Sequence, residues 1–208
     1  YADGAIATGI LSEAEGREIR AHYGAKLAMT DHWLGRILDA LDERDAWDDT
    51  AVIVCTDHGH YLGEERRGRD IWGKPSVPQF EPLGHTPLLI HWPGATVPAG
   101  STVDALTTNV DLHATLCDAF GVEVAHRTHG VSLAPLLTGE ATSVREWAIG
   151  GVFGNWVQVT DGRHKYARAP EGDGFPLSMW SNRWSTMPIH GLPGAALPPP
   201  DGRAVLDR

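Results

Sequence analysis

Residues 50–56, Thr-Ala-Val-Ile-Val-Cys-Thr, form an unbroken β-branched apolar run that ends in Asp57, His58 and Gly59. A run without polar alternation suits a central strand covered on both faces, not a strand with one wet side. Before it, residues 13–44 place Ile19, Tyr23, Leu27, Leu34, Ile37, Leu38 and Leu41 at helical spacing with charged side chains between them, which predicts one long amphipathic helix. An acidic turn over 45–49 stops that helix. Helix, turn and buried strand together are the signature of an α/β fold.

Further along, residues 59–84 are rich in Gly, Pro, Arg and Glu and show no clear period, so they read as a long loop, and loops of that length are usually functional or disordered. Residues 86–92 read as a second strand stopped by Pro93-Gly94. A helix is expected over 109–121, with Val110, Leu112, Leu116 and Phe120 as its buried face. Beyond Gly130 the texture changes, and 148–152, 156–160 and 165–168 read as short strands with a hairpin tip at Asp161-Gly162. The expected organisation is an α/β part over 1–140 and a small antiparallel sheet with an irregular Pro/Gly-rich tail over 141–208. No internal repeat is present.

Asp57 and His58 stand where ligands bind in open α/β sheets, at the carboxyl end of a strand. A carboxylate beside an imidazole suits a divalent cation, and Gly59 lets the backbone turn without a side chain blocking the site. The bare tripeptide fits another role equally well, with Asp57 capping the next turn and His58 an ordinary strand-end residue. One carboxylate and one imidazole do not complete a coordination shell, so further ligands must come from elsewhere. His60 and His113 read as structural or surface residues. Cys55 and Cys117 lie in apolar runs and read as buried packing residues, since a lone pair gives no disulfide framework.

The stretch from Tyr23 to Gly139 resembles the C-terminal half of the catalytic domain of sulfatases, in the alkaline phosphatase superfamily. The pieces occur in that family's order. A helix resembling Asp31-His-Trp-Leu-Gly-Arg-Ile-Leu-Asp-Ala-Leu41 leads through Trp47-Asp-Asp-Thr50 into the Thr-Asp-His-Gly strand. Then come Trp72-Gly-Lys74, the pair Phe80-Glu81, the Pro87 to Gly94 strand and turn, Val110-Asp-Leu112, and Gly130-Val-Ser-Leu-Ala-Pro-Leu-Leu137. The resemblance implies an alkaline-phosphatase-like α/β core fragment with a small C-terminal antiparallel subdomain. It implies that Asp57 and His58 are two ligands of the active-site cation, with Ca2+ usual in sulfatases and Mn2+ or Zn2+ the alternatives. It also implies that Lys74 contacts a sulfate oxygen and stabilises the departing one. The loop between His58 and Lys74 departs from the common pattern in being longer and richer in Arg. His85 sits where an Arg often precedes the strand, and either lines the pocket for substrate or makes a hydrogen bond at the strand entrance.

The implied activity is metal-dependent hydrolysis of small-molecule or carbohydrate sulfate esters. The family's nucleophile is a formylglycine made from Cys or Ser in a Cys/Ser-x-Pro-x-Arg motif, and no such motif occurs in these 208 residues. The chain opens at Tyr1, so the expectation is that it starts inside the catalytic domain, that the formylglycine and a pair of aspartates lie upstream, and that the chain alone is inactive. Localisation and oligomeric state are then unreadable. Two rivals stand beside this reading: a phosphatase, phosphodiesterase or phosphonate monoester hydrolase of the same superfamily, and a non-catalytic binding protein that kept the fold. Trp147, Trp156, Trp180 and Trp184 either stack on sugar or pack in a sheet. A formal charge of −10 argues against nucleic acid, because Arg66, Arg67 and Arg69 are the sole basic cluster. No apolar stretch reaches the length of a membrane span.

Overall fold

The computed structural model describes residues 9–74, 79–124, 128–151 and 157–169. The long helix, α1, runs Glu13–Asp42. Ser12 starts it through a reciprocal capping box: its hydroxyl accepts from the Glu15 amide, and the Glu15 carboxylate accepts from the Ser12 amide at 2.7 Å. The periodic apolar face is present, yet Ile19, Tyr23, Leu27 and Ile37 are all exposed. Its burying partner is not among the described residues.

Trp47 fastens the end of α1 to the sheet. Its indole donates to Asp42 at 2.7 Å, its carbonyl is bound by the His91 imidazole at 2.8 Å, and the two rings meet edge to face. Strand β1 (Val52–Cys55) follows and, among the described residues, pairs with one neighbour, a later strand over Leu88–His91. The pairing is antiparallel, with Val52 opposite His91 and Cys55 opposite Leu88. The expectation of a strand covered on both faces is therefore corrected. Val52, Ile53 and Val54 are half-buried and Cys55 is exposed, with one neighbouring strand among the described residues. Cys55 is accordingly not the buried packing residue its apolar run suggests, and Cys117 is partly exposed.

The segment read as a loop over 59–84 is largely structured. It folds into a hairpin of β2 (Tyr61–Arg66) and β3 (Arg69–Gly73), then one helical turn, α2 (Glu81–Gly84). Arg67 and Gly68 form a two-residue turn with φ of 55° and 77°, the left-handed pair that matches the twist of a hairpin. A bulge between Leu62 and Glu64 hides the alternation that would have marked β2. Tyr61 and Trp72 are the hairpin's buried anchors, and the Tyr61 hydroxyl accepts from the Phe80 amide at 2.7 Å. Arg20 of α1 lies over the Trp72 ring and donates to the Leu62 carbonyl, so the hairpin is held against the helix.

The strand over Leu88–His91 is β4. Next comes α3 (Val110–Ala119), whose buried residues are Asp111 and Thr115, while Val110, Leu116 and Phe120 are exposed. The expected apolar face is thus corrected: α3 turns a polar edge inward. Asp111 accepts from the amides of Thr108 and Val131 and from Arg145, and Thr115 accepts from the Leu133 amide, so the buried edge is fully engaged with the turn before α4 (Ala134–Leu137). Strands β5 (Ala148–Gly151), β6 (Val157–Thr160) and β7 (Lys165–Arg168) make the expected antiparallel sheet in the order β5-β6-β7. Its tip is the Asp161-Gly162 turn, as the sequence predicts. Buried Gln158 of β6 accepts from the Gln79 amide and donates to the Gln79 carbonyl, and Lys165 of β7 pairs with Glu81 of α2. Trp156, Trp180, Trp184 and the tail lie outside the described residues; Trp147 is exposed.

Candidate functional site

The site forms where β1 ends. Asp57 is exposed and bends back on its own backbone, accepting the His58 amide at 2.9 Å. Desolvation at the strand end opposes its ionisation, but the His58 amide, the neighbouring imidazole and the Thr56 hydroxyl outweigh it and hold the carboxyl below its ordinary value. The second carboxylate oxygen, Oδ2, lies 3.4 Å from His58 Nε2.

The state of the imidazole follows from its two neighbours. Lys74 Nζ lies 2.8 Å from Nε2, and an ammonium can only donate, so Nε2 accepts and bears no proton. Nδ1 then carries the hydrogen and donates to the Gly59 carbonyl at 2.7 Å. That bond orients the ring, with Nε2 near Asp57 and its lone pair engaged by the Lys74 ammonium.

Lys74 reaches His58 because of the hairpin. With Tyr61 paired to Gly73, the sixteen-residue separation folds back on itself and returns Lys74 to the start of β2. Gly59 closes the base: its amide donates to the Leu83 carbonyl at 2.9 Å, seating the loop on α2.

Asn109 is a residue the sequence reading passed over. Placed just before α3, it makes no side-chain cap; its amide donates instead to the carbonyls of Thr56 and Asp57, at 3.1 and 3.0 Å. It ties the strand end to the start of α3. His85 is not joined to this cluster by a hydrogen bond: its Nδ1 pairs with Glu81 at 3.0 Å and the side chain is exposed. His60 stacks on Tyr23 of α1, and His113 lies 3.7 Å from the Cys117 sulfur on α3.

Asp57 and His58 fit part of a cation shell. Two donors 3.4 Å apart can share one ion at bond lengths of about 2.1–2.4 Å. A third His, Cys, Asp or Glu does not join them among the described residues. A carboxylate, an imidazole lone pair and an ammonium at one strand end can bind an anionic ester through a cation and donate to a departing oxygen.

These three groups meet at the strand end that follows the long helix α1. The sulfatase family model matches residues 4–122, more than half of the chain, and the chain belongs to that family. The choline-sulfatase of Rhizobium meliloti (strain 1021) is 33% identical over 162 residues, covering 75% of this chain and 30% of that protein. Arylsulfatase K of Xenopus laevis is 29% identical over 177 residues, 85% of this chain and 30% of that protein. Among solved structures, the phosphonate monoester hydrolase of Agrobacterium radiobacter superposes with a TM-score of 0.61 at 31% identity, over 76% of this chain and 34% of that one. The chain spans about a third or less of the length of each of these relatives. No helix among the described residues is long and apolar enough to cross a membrane.

Proposed function

We propose that the chain supplies the cation-binding and leaving-group-stabilising part of a metal-dependent sulfuric ester hydrolase. The observation that carries this reading is the convergence of Asp57 Oδ2, His58 Nε2 and Lys74 Nζ at the end of β1 in a member of the sulfatase family. Asp57 and His58 would hold a divalent cation, whose chemistry is Lewis-acid stabilisation of the non-bridging oxygens of the ester. Calcium is the ion expected from the family; an imidazole donor sits more comfortably with manganese or zinc. Asp57 is ionised at neutral pH, since its carboxyl is held below the ordinary value. Lys74 donates to the ester oxygen on which negative charge develops as the alcohol departs. His85, whose imidazole pairs with Glu81, is the remaining candidate for contact with the substrate.

Neither cysteine sits in a Cys/Ser-x-Pro-x-Arg motif, so the attacking group is provided from beyond these 208 residues. A second reading, hydrolysis of a phosphonate or phosphate monoester, is favoured by the likeness to the phosphonate monoester hydrolase and by the histidine in the pair. The test is turnover of an aryl sulfate and an aryl phosphonate by the longest gene product that carries this chain, produced with a formylglycine-maturing enzyme. Asp57→Ala and Lys74→Ala should each lower kcat by about 10²–10³-fold, the usual loss for a preorganised charge stabiliser. The preferred ester separates the two readings. Enzyme-like sulfate turnover by the 208 residues alone would overturn the assignment of the nucleophile elsewhere.

A further inference from the structure

His58 Nε2 has one lone pair, and the Lys74 ammonium takes it at 2.8 Å. With Nδ1 committed to the Gly59 carbonyl, the ring cannot offer its other nitrogen instead. A cation shared with Asp57 needs the same lone pair, because Nε2 is the ring atom that lies 3.4 Å from Oδ2. We propose that Lys74 and the divalent cation are mutually exclusive occupants of His58 Nε2. Lys74 is then a built-in competitor that lowers the cation affinity, and cation binding releases its ammonium. This rests on the reading of Asp57 and His58 as cation ligands and adds to it a regulation of that site.

Three observations support competition over coexistence. An ammonium and a metal ion are both lone-pair acceptors in the broad sense, and one imidazole nitrogen cannot serve two of them. Lys74 is exposed and lies one residue beyond the last hairpin pair, Tyr61 with Gly73, so its flexible stem can swing away without disturbing β2 or β3. Among the described residues its ammonium has no other hydrogen bond or ion pair, so nothing else shown holds it on the imidazole. Coupling of this kind is reciprocal: whatever Lys74 costs the cation, the cation costs the Lys74–His58 bond. The released ammonium is then free for a substrate oxygen only once the cation is in place, which orders the two events.

The test is Mn2+ titration of the 208-residue chain, read as paramagnetic broadening of the His58 imidazole signals by NMR. Lys74→Met keeps the stem and removes the charge. It should lower the Mn2+ concentration for half-broadening by about fivefold, the scale of losing one partly exposed charge-assisted hydrogen bond. Lys74→Arg, which still donates, should stay near the native value. Addition of diamagnetic Zn2+ should shift the Lys74 side-chain signals of the native chain as the ammonium leaves the ring. Asp57→Asn tests the underlying site separately, and should abolish the His58 broadening in native and Lys74→Met backgrounds alike. If Asp57→Asn abolishes broadening but Lys74→Met leaves the midpoint unchanged, the competition is refuted while the cation site stands. Broadening indifferent to Asp57, or none in any of the proteins, removes the cation pair and the competition with it.

Discussion

Gly59 has no side chain because there is no room for one: a Cβ there would lie 1.8 Å from the Pro82 carbonyl oxygen. The neighbour is backbone, so it cannot swivel aside. Gly59→Ala should therefore push the Asp57–His58 loop off α2 and cost about 1–3 kcal/mol, the range for overpacking a tight contact. Urea unfolding measures it, and an unchanged midpoint would show that the loop is not seated on α2. The sequence pointed to Gly59 for a different reason, a free turn after the strand. Its φ is not in the left-handed region, and the true constraint is a contact with a residue more than twenty positions away, which local reading does not reach. The position of Asp57 and His58 at a strand end was legible because a polar pair ends an apolar run. Asn109 was not. An Asn ahead of a helix reads as an N-cap, whereas this one spends its amide on two carbonyls more than fifty residues upstream.

Among the elements, those with a regular period and clean punctuation were read well. Ends of α1 and of β6 and β7 fall within two residues of the sequence expectation. The β2–β3 hairpin was lost because its bulge breaks the two-residue alternation and because Arg-Gly is a weaker turn signal than Asn-Gly or Asp-Gly. The β6–β7 hairpin shows the stronger signal at work, since Asp161 accepts from the amides of Arg163 and His164 and from the His164 imidazole. Those bonds, led by the His164 amide, hold the Asp161 carboxyl far below its ordinary value of 3.8. The sign follows by linkage: a carboxyl depressed on folding stabilises the fold at pH above its unfolded value, and that contribution fades as pH falls below about 4. The hairpin should thus loosen on acidification through that window, seen as faster amide exchange at Arg163 and His164. Asp161→Ala should exchange quickly at neutral pH already and lose this acid dependence; a native-like profile in the variant would place the acid sensitivity elsewhere.

Across the whole molecule, apolar pattern and actual burial part company. Leu27 and Ile37 of α1 are about 60% exposed and Phe120 of α3 is 78% exposed, while the fully buried side chains include Asp111 and Thr115. Amphipathic spacing tells which face of a helix is apolar, not whether the residues that cover it are at hand, and this chain spans only about 30% of its curated relatives. Among the described residues, polar pairs tie the part beyond residue 140 to the rest: Gln79 with Gln158, Glu81 with Lys165, and Asp111 with Arg145. We propose that the division near residue 140 is real in architecture but bridged in energy by these pairs. Asp111 is the severest case, because its carboxylate, wholly excluded from solvent, is shared by two backbone amides and a guanidinium that come from three separate segments. Arg145 already keeps a buried Nε without a partner, so the pair is retained despite imperfect satisfaction. Removing either partner leaves the other's charge buried without its counter-charge, at a cost of about 3–5 kcal/mol. The two losses should differ, however. Asp111→Ala strands the Thr108 and Val131 amides as well as Arg145, whereas Arg145→Met leaves both amides bound to the carboxylate. Urea unfolding should therefore rank Asp111→Ala below Arg145→Met, and the double variant should fall close to Asp111→Ala alone. Additive losses in the double variant would mean that the two side chains stabilise the fold independently and that the bridge between α3 and residue 145 is not a single unit.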